Sequence, residues 1–173
     1  MCMKSVNATV NLFASVRKSD EYISFSVPFD TIKCIIRNNV PYISDFFIVA
    51  NMNLMGTTRE DAKKINVVEN NKELFCLIRL TKISNNPDER VSWDIEQFSI
   101  DTSDKTFRFD DACVPTVNYR KIVEVQNIEL TENYRGDYAL KLLVRTSEKD
   151  SWEVQSIVRL TVILRNSSIF RHI

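Results

Sequence analysis

The stretch Trp152–Leu164, WEVQSIVRLTVIL, decides the fold class of this chain. Two sets of side chains alternate along it: an apolar set of Trp152, Val154, Val158, Leu160, Val162 and Leu164, and a polar set of Glu153, Gln155, Arg159 and Thr161. A period of two residues is the pattern of a strand with one buried face. Segment 138–146, YALKLLVRT, alternates in the same way, and a short polar link joins the two. Together they predict a β-hairpin.

The tripeptide Arg135-Gly136-Asp137, just before the hairpin, is best known from cell adhesion. Gly136 is one of only two glycines in the chain. A turn that leads into a strand needs a residue that tolerates positive φ, and an aspartate side chain readily bonds nearby backbone amides. We therefore interpret the tripeptide as a turn and not as a recognition loop.

The same alternation recurs along the rest of the chain. The further candidate strands are residues 6–13, 22–29, 46–54, 73–83, 91–95, 106–109 and 122–130. Short strands with turn-like links and no long amphipathic helix between them are typical of antiparallel sandwiches and barrels. The sequence predicts an all-β chain in which residues 1–173 form a single antiparallel β-sandwich of about eight to nine strands.

Helix is expected only as one or two short turns. Segment 57–65, TTREDAKKI, has threonines followed by acidic residues at the spacing of a capping box. Segment 30–39, DTIKCIIRNN, is compatible with a helical turn or with a bulged strand, because its apolar run is too short for periodicity to decide. Residues 165–173 are either a flexible tail or a segment that docks through Ile169 and Phe170.

Charge and hydropathy exclude several classes of partner. The chain has 23 basic and 23 acidic residues, whereas nucleic-acid binding is dominated by excess positive charge. It has no apolar run of the roughly 18 residues that span a bilayer, and its first twenty residues lack the continuous apolar core of a signal peptide. We therefore expect a cytoplasmic protein that binds neither nucleic acid nor membrane.

The four cysteines fit a reducing compartment. Cys2, Cys34, Cys76 and Cys113 are scattered without a CxxC pair. A zinc site needs ligands at closer spacing, and a disulfide framework is typical of smaller secreted chains. Buried free thiols and no metal are the prediction.

Familiar catalytic and cofactor motifs are missing. The only histidine, His172, is next to last in the chain, whereas triads that use histidine need it in a fixed cleft. Gly56 and Gly136 cannot form a phosphate-binding loop, which needs clustered glycines. We expect no cofactor and no enzymatic activity.

The richest set of carboxylates is Asp101, Asp104, Asp110 and Asp111. Converging carboxylates can hydrolyse glycosides or hold calcium. Adjacent residues of a strand point to opposite faces, however, and Asp-Asp before a proline-containing loop is typical of a solvated turn. These four residues are the candidates for a binding site.

Several segments resemble a family of uncharacterised small bacterial proteins. They are LFASVRKSDEYISFSVPFDTIKC (12–34), VPYISDFFIVANMNLMG (40–56), VEVQNIELTENYRGDYALKLLVR (123–145) and VQSIVRLTVI (154–163), with Ser24 to Ile32 and Gly136, Asp137 and Tyr138 as the matching positions. The resemblance implies a cytosolic sandwich with no catalytic residues to carry over.

Three functions are compatible with these observations. The favoured one is a non-enzymatic module that binds another protein through loops or a sheet edge. The alternatives are a structural or accessory protein of a phage or mobile element that forms homo-oligomers, and a carboxylate-based hydrolase or a sugar or calcium binder.

Overall fold

The computed structural model of the protein describes residues 6–18, 23–26, 28–43, 45–55, 73–86, 90–101, 108–109, 115–130, 134–145 and 147–164. All regular elements of these residues are strands: β1 (Val6–Phe13), β2 (Val16–Lys18), β3 (Ile23–Phe25), β4 (Thr31–Arg37), β5 (Val40–Ile43), β6 (Phe46–Met55), β7 (Glu73–Lys82), β8 (Ser92–Asp101), β9 (Arg108–Phe109), β10 (Pro115–Val125), β11 (Ile128–Glu129), β12 (Gly136–Arg145) and β13 (Glu153–Leu164). The all-β prediction is thus confirmed.

The strands form two large sheets and one small hairpin. The four-stranded sheet has the order β1-β6-β10-β9, the seven-stranded sheet has the order β11-β5-β4-β13-β12-β7-β8, and β2 pairs with β3. If β8, the β4–β5 pair and the short strands β2, β3 and β11 are set aside, the remaining orders β1-β6-β10-β9 and β13-β12-β7 match the two strand orders of constant-type immunoglobulin sandwiches.

The predicted antiparallel pairing holds for most strands, including the hairpin of β12 and β13. It is wrong for β13 and β4, which pair in parallel from Thr161–Thr31 to Leu164–Cys34. The predicted strand number was also too low. Strands of two or three residues are too short to show a period, and the alternation within a strand does not specify the direction of its neighbour.

The inward faces of the two sheets share one hydrophobic core. The four-stranded sheet contributes Ala8, Val10, Leu12, Ile48, Ala50 and Met52, and the seven-stranded sheet contributes Leu74, Cys76, Ile78, Leu80, Leu140, Leu142, Leu160 and Val162. Across the interface, Cys76 Sγ lies 3.8 Å from Met52 Sδ. The predicted inward residues of β6 and β7 that the structure describes are all buried.

Side chains join the two sheets where β8 meets β10. The rings of Phe98 and Tyr119 stack at 5.9 Å between centroids. Lys121 Nζ lies 3.1 Å from Glu96 Oε1 and 5.3 Å from the centre of the Phe98 ring. The long edge strand β8 is therefore tied to the opposite sheet, which is one way to protect a sheet edge.

Residues 30–39, left open by the sequence, form β4 and the turn after it. Asn38 and Asn39 make a two-residue loop with φ of 51° and 64°, so that Arg37 pairs with Val40. Two successive residues with positive φ are the type I′ geometry, which matches the twist of a hairpin and favours asparagine. The run is a strand because this turn lets it pair with β5.

The turn before β12 agrees with the interpretation of the tripeptide. Gly136 has φ of +120°, which side-chain-bearing residues rarely adopt. Two residues on, the fully buried Tyr138 donates its hydroxyl hydrogen to the carbonyl oxygen of Tyr134 over 2.6 Å. A tyrosine that bonds back to the backbone at the start of this strand is the tyrosine corner of β-sandwiches.

Three predictions lie outside the described residues: the helical turn at 57–65, the tail at 165–173, and the placement of Cys2 and Cys113. Cys34 and Cys76 are buried free thiols, as predicted. None of the described residues belongs to a helix with the length and apolar character needed to cross a membrane.

Candidate interaction face

The outward side of the seven-stranded sheet carries the candidate site, which we call the outer face. It consists of three rows of directly paired residues across β13, β12, β7 and β8: Arg159–Ala139–Thr81–Ser92, Ile157–Lys141–Arg79–Asp94 and Val154–Leu143–Leu77–Gln97. Directly paired residues point to the same side of a sheet. Their inward neighbours are the core residues already described.

Two β-bulges shape this face. The register of β12 with β13 shifts so that Leu142 pairs with Ser156 and Leu143 with Val154, which makes Gln155 the extra residue. The register of β7 with β8 shifts as well, which makes Ile95 the extra residue of β8. An extra residue interrupts the alternation of a strand, so residues on the two sides of the bulge no longer follow one period of two.

The bulge in β13 corrects one prediction from the sequence. Unbroken alternation placed Val154 on the buried face with Val158. In the structure Val154 pairs with Leu143 on the outer face and is 48% exposed. Ile157, also on the outer face, is 55% exposed. Two adjacent branched apolar side chains thus face outward on one strand.

Apolar residues continue from β13 across the outer face. Leu143 and Leu77 lie next to Val154 in the same row and are 6% and 2% exposed. Because strand pairing does not cover the faces of a sheet, their low exposure means that neighbouring side chains already cover them. Val154 and Ile157 therefore form the exposed margin of a larger apolar strip, and covering them would remove apolar area from water.

Basic side chains border this strip. Lys141 pairs with Ile157, and Arg159 lies two residues further along β13. Within the described part of the chain, neither cation forms an ion pair. The third cation, Arg79, is neutralised by Asp94, since Nη2 donates to Oδ2 over 3.1 Å and this pairing raises the pKa of Arg79. The three rows carry a net positive charge.

A further cation is fixed at the end of β12. The guanidinium carbon of Arg145 lies 4.4 Å from the centre of the Trp152 ring and 5.6 Å from that of Phe75. Its Nη1 donates to the carbonyl oxygen of Glu148 over 3.0 Å, whereas its buried Nε has no acceptor among the described residues. A guanidinium that lies against aromatic rings is pre-organised for a planar anion such as a carboxylate.

The outward side of the four-stranded sheet has a different character. Thr9, Asn51 and Arg120 form one of its rows, and Arg120 Nε donates to Asn51 Oδ1 over 2.8 Å. The β2–β3 hairpin lies against this side, because the ring of Phe25 is 5.0 Å from that of Phe13 and 5.5 Å from the Arg120 guanidinium. Val49, which points to the same side and pairs with Ile122, is 2% exposed, and among the described residues no large apolar side chain of β1, β6 or β10 is exposed. This side is thus partly covered.

The buried titratable groups are poor candidates for chemistry. Burial raises the pKa of Cys76 to about 12 and also raises the pKa of Cys34. Burial, with a smaller effect of nearby Cys34, raises the pKa of Tyr138 to about 12. A thiol in such surroundings stays protonated near neutral pH, and the thiolate is the reactive form. The described residues include no group of three or more His, Cys, Asp or Glu side chains that could hold a metal ion.

The aspartates singled out from the sequence are not brought together by anything the structure describes. The backbone of Asp101 pairs with that of Glu73 at the end of β8. Asp104, Asp110 and Asp111 lie outside the described residues. The outer face was missed because its signal in the sequence is slight: Ile157 is an apolar residue at a position that alternation assigns to the polar face.

Comparison with known proteins adds no family to this description. No family model matches the chain, and no curated protein shows significant similarity to it.

Proposed function

We propose that the protein is a non-enzymatic interaction module that binds another protein through its outer face. The observation that carries this proposal is the exposure of Val154 and Ile157 beside the buried Leu77 and Leu143. Exposed apolar side chains that adjoin a buried apolar strip and have a charged border are typical of protein-binding surfaces.

The contrast between the two sheets supports this choice of surface. Both sheets use their inward sides for the core, so a partner has two flat outward sides to choose from. On the side of the four-stranded sheet lie the β2–β3 hairpin, polar residues such as Asn51, and Val49, which is already buried. The seven-stranded sheet exposes Val154 and Ile157 instead. It also carries Arg145 against the ring of Trp152, and arginine and tryptophan are residue types enriched at interfaces.

The architecture also supports a binding role. The core strand order is that of immunoglobulin-type sandwiches, and a sandwich presents loops and sheet faces to partners on a rigid core. We place the protein in the cytoplasm as part of the same proposal. The free, buried thiols of Cys34 and Cys76 favour a reducing compartment.

The test is quantitative affinity capture with two matched baits. Val154→Ser with Ile157→Ser removes the exposed apolar pair, and Ile23→Ser removes an exposed isoleucine on β3, away from the outer face. Proteins that bind the wild-type bait should be depleted at least tenfold on the double variant and retained on Ile23→Ser. Equal recovery on all three baits would overturn the proposal.

Light scattering of the purified protein separates a partner protein from self-assembly. A monomer that captures one recurrent protein supports the interaction module. A stable oligomer that captures only itself, and that becomes monomeric in the double variant, would assign the outer face to the alternative of a self-assembling structural protein.

A further inference from the structure

The charges on the outer face point to the kind of partner it takes. We propose that its ligand is an extended, acidic protein segment whose apolar side chains cover Val154 and Ile157 and whose carboxylates, on the same side of the segment, meet Arg159, Lys141 and Arg145. This inference rests on the proposed function, since it names the chemistry of the segment that would bind the same face.

The first argument is the balance of charge. The whole chain is neutral, with 23 basic and 23 acidic residues, but the outer face is not. Its single carboxylate within the three rows, Asp94, is already bonded to Arg79. Arg159 and Lys141 are left without an ion-pair partner among the described residues. A partner with carboxylates would supply the missing charge and lose less on desolvation than a basic one.

The second argument is the spacing of the cations. Arg159 pairs with Ala139, and Ala139, Lys141 and Arg145 all lie on the outward side of β12. Six residues of strand separate Ala139 from Arg145, which corresponds to about 20 Å. The apolar pair lies within this length on the neighbouring strand. An extended segment of about six or seven residues would therefore reach all three cations.

The third argument concerns Arg145. Its guanidinium carbon lies near the rings of Trp152 and Phe75, and Nη1 donates to the carbonyl oxygen of Glu148. These contacts are made without a ligand and restrict the side chain, so less side-chain entropy is lost when a carboxylate binds. Among the described residues no aromatic ring lies against Lys141 or Arg159, and these two cations contribute mainly to attraction over a distance.

Nucleic acid and anionic lipid would also be attracted to three cations. The neutral chain disfavours both, and the two exposed branched side chains beside the cations match apolar protein side chains and not the phosphates of a nucleic acid. The same variants can be tested against both polyanions directly.

The experiment is selection from a displayed library of random twelve-residue peptides on the purified wild-type protein. We expect the enriched peptides to carry both apolar residues and aspartate or glutamate at positions i, i+2 and i+4, because these side chains of an extended segment point to the same side. Their affinity should fall at least tenfold for Lys141→Glu with Arg159→Glu, and also when NaCl is raised from about 0.05 to 0.5 M, where screening is stronger. Trp152 fluorescence in a Trp93→Phe background reports the binding.

The outcomes separate this inference from the proposed function. Some peptides could lose binding to the variant with Val154→Ser and Ile157→Ser but bind the charge-reversed variant normally. That result would support the outer face as the binding surface and overturn the inference that the ligand is acidic. Peptides that are insensitive to both pairs of changes would overturn both. Binding of phosphatidylserine vesicles or of a DNA duplex that depends on Lys141 and Arg159, with no acidic peptide enriched, would replace the protein ligand by a polyanion.

Discussion

Replacing Tyr138 with phenylalanine removes one hydroxyl and tests whether the tyrosine corner stabilises the fold. The hydroxyl is fully buried and donates to the carbonyl oxygen of Tyr134 over 2.6 Å. A typical hydrogen bond contributes about 1 kcal/mol net, and a buried acceptor left without its donor costs about 1–3 kcal/mol. We therefore expect Tyr138→Phe to lower the free energy of unfolding by roughly 2 kcal/mol. For a chain of this length, that corresponds to a fall in Tm of about 4–8 °C.

The assay is urea denaturation followed by Trp fluorescence and by circular dichroism, with Tyr42→Phe as the matched control. Tyr42 is half-buried on β5, and no hydrogen bond of its hydroxyl is seen among the described residues. The control should change stability by less than about 0.5 kcal/mol. A shift for Tyr138→Phe no larger than that of Tyr42→Phe, at unchanged slope, would refute the role assigned to this hydrogen bond.

Three further changes test the backbone and the buried acids. Asn39→Val should destabilise by about 1–2 kcal/mol because Asn39 has φ of 64°, whereas Asn39→Gly should be neutral or stabilising; urea midpoints compare the two. Gly136→Ala should cost about 1–3 kcal/mol in the same assay, from its φ of +120° alone, since an added Cβ would meet nothing within 4 Å. Folding raises the pKa of Cys76 from 9.0 and that of Tyr138 from 10.0, in both cases to about 12. The free energy of unfolding should therefore fall as pH rises from 9 to 12, because the unfolded chain releases protons that the folded chain retains. Tyr138→Phe should flatten the part of this decline above pH 10, and an unchanged slope would contradict the prediction.

Strand positions and most core faces follow from the sequence. In β6 the predicted inward residues Phe46, Ile48, Ala50 and Met52 are all buried, because period-two alternation reports directly on a sheet with one buried face. The same rule failed at Val154. A bulge adds one residue to β13, and the sequence pattern does not show where the two-residue period is interrupted.

Pairing between distant strands could not be predicted in the same way. The parallel contact of β13 with β4 depends on how residues over 120 positions apart meet in the folded chain, and no local pattern records it. The outer face has the same origin. Ile157 and Lys141 become neighbours only through the β12–β13 register. The single apolar residue on a polar face therefore did not predict a binding surface before the register was known.

Site-specific photocrosslinking in the cells that make the protein tests the central claim most directly. A photoreactive residue in place of Ile157 probes the outer face, and one in place of the exposed Thr9 probes the opposite sheet. We predict a discrete crosslinked protein at position 157 that is absent at position 9 and disappears when Lys141 and Arg159 are reversed in charge. Crosslinks of equal yield at both positions, or a discrete product at position 9 alone, would contradict the assignment of the binding surface.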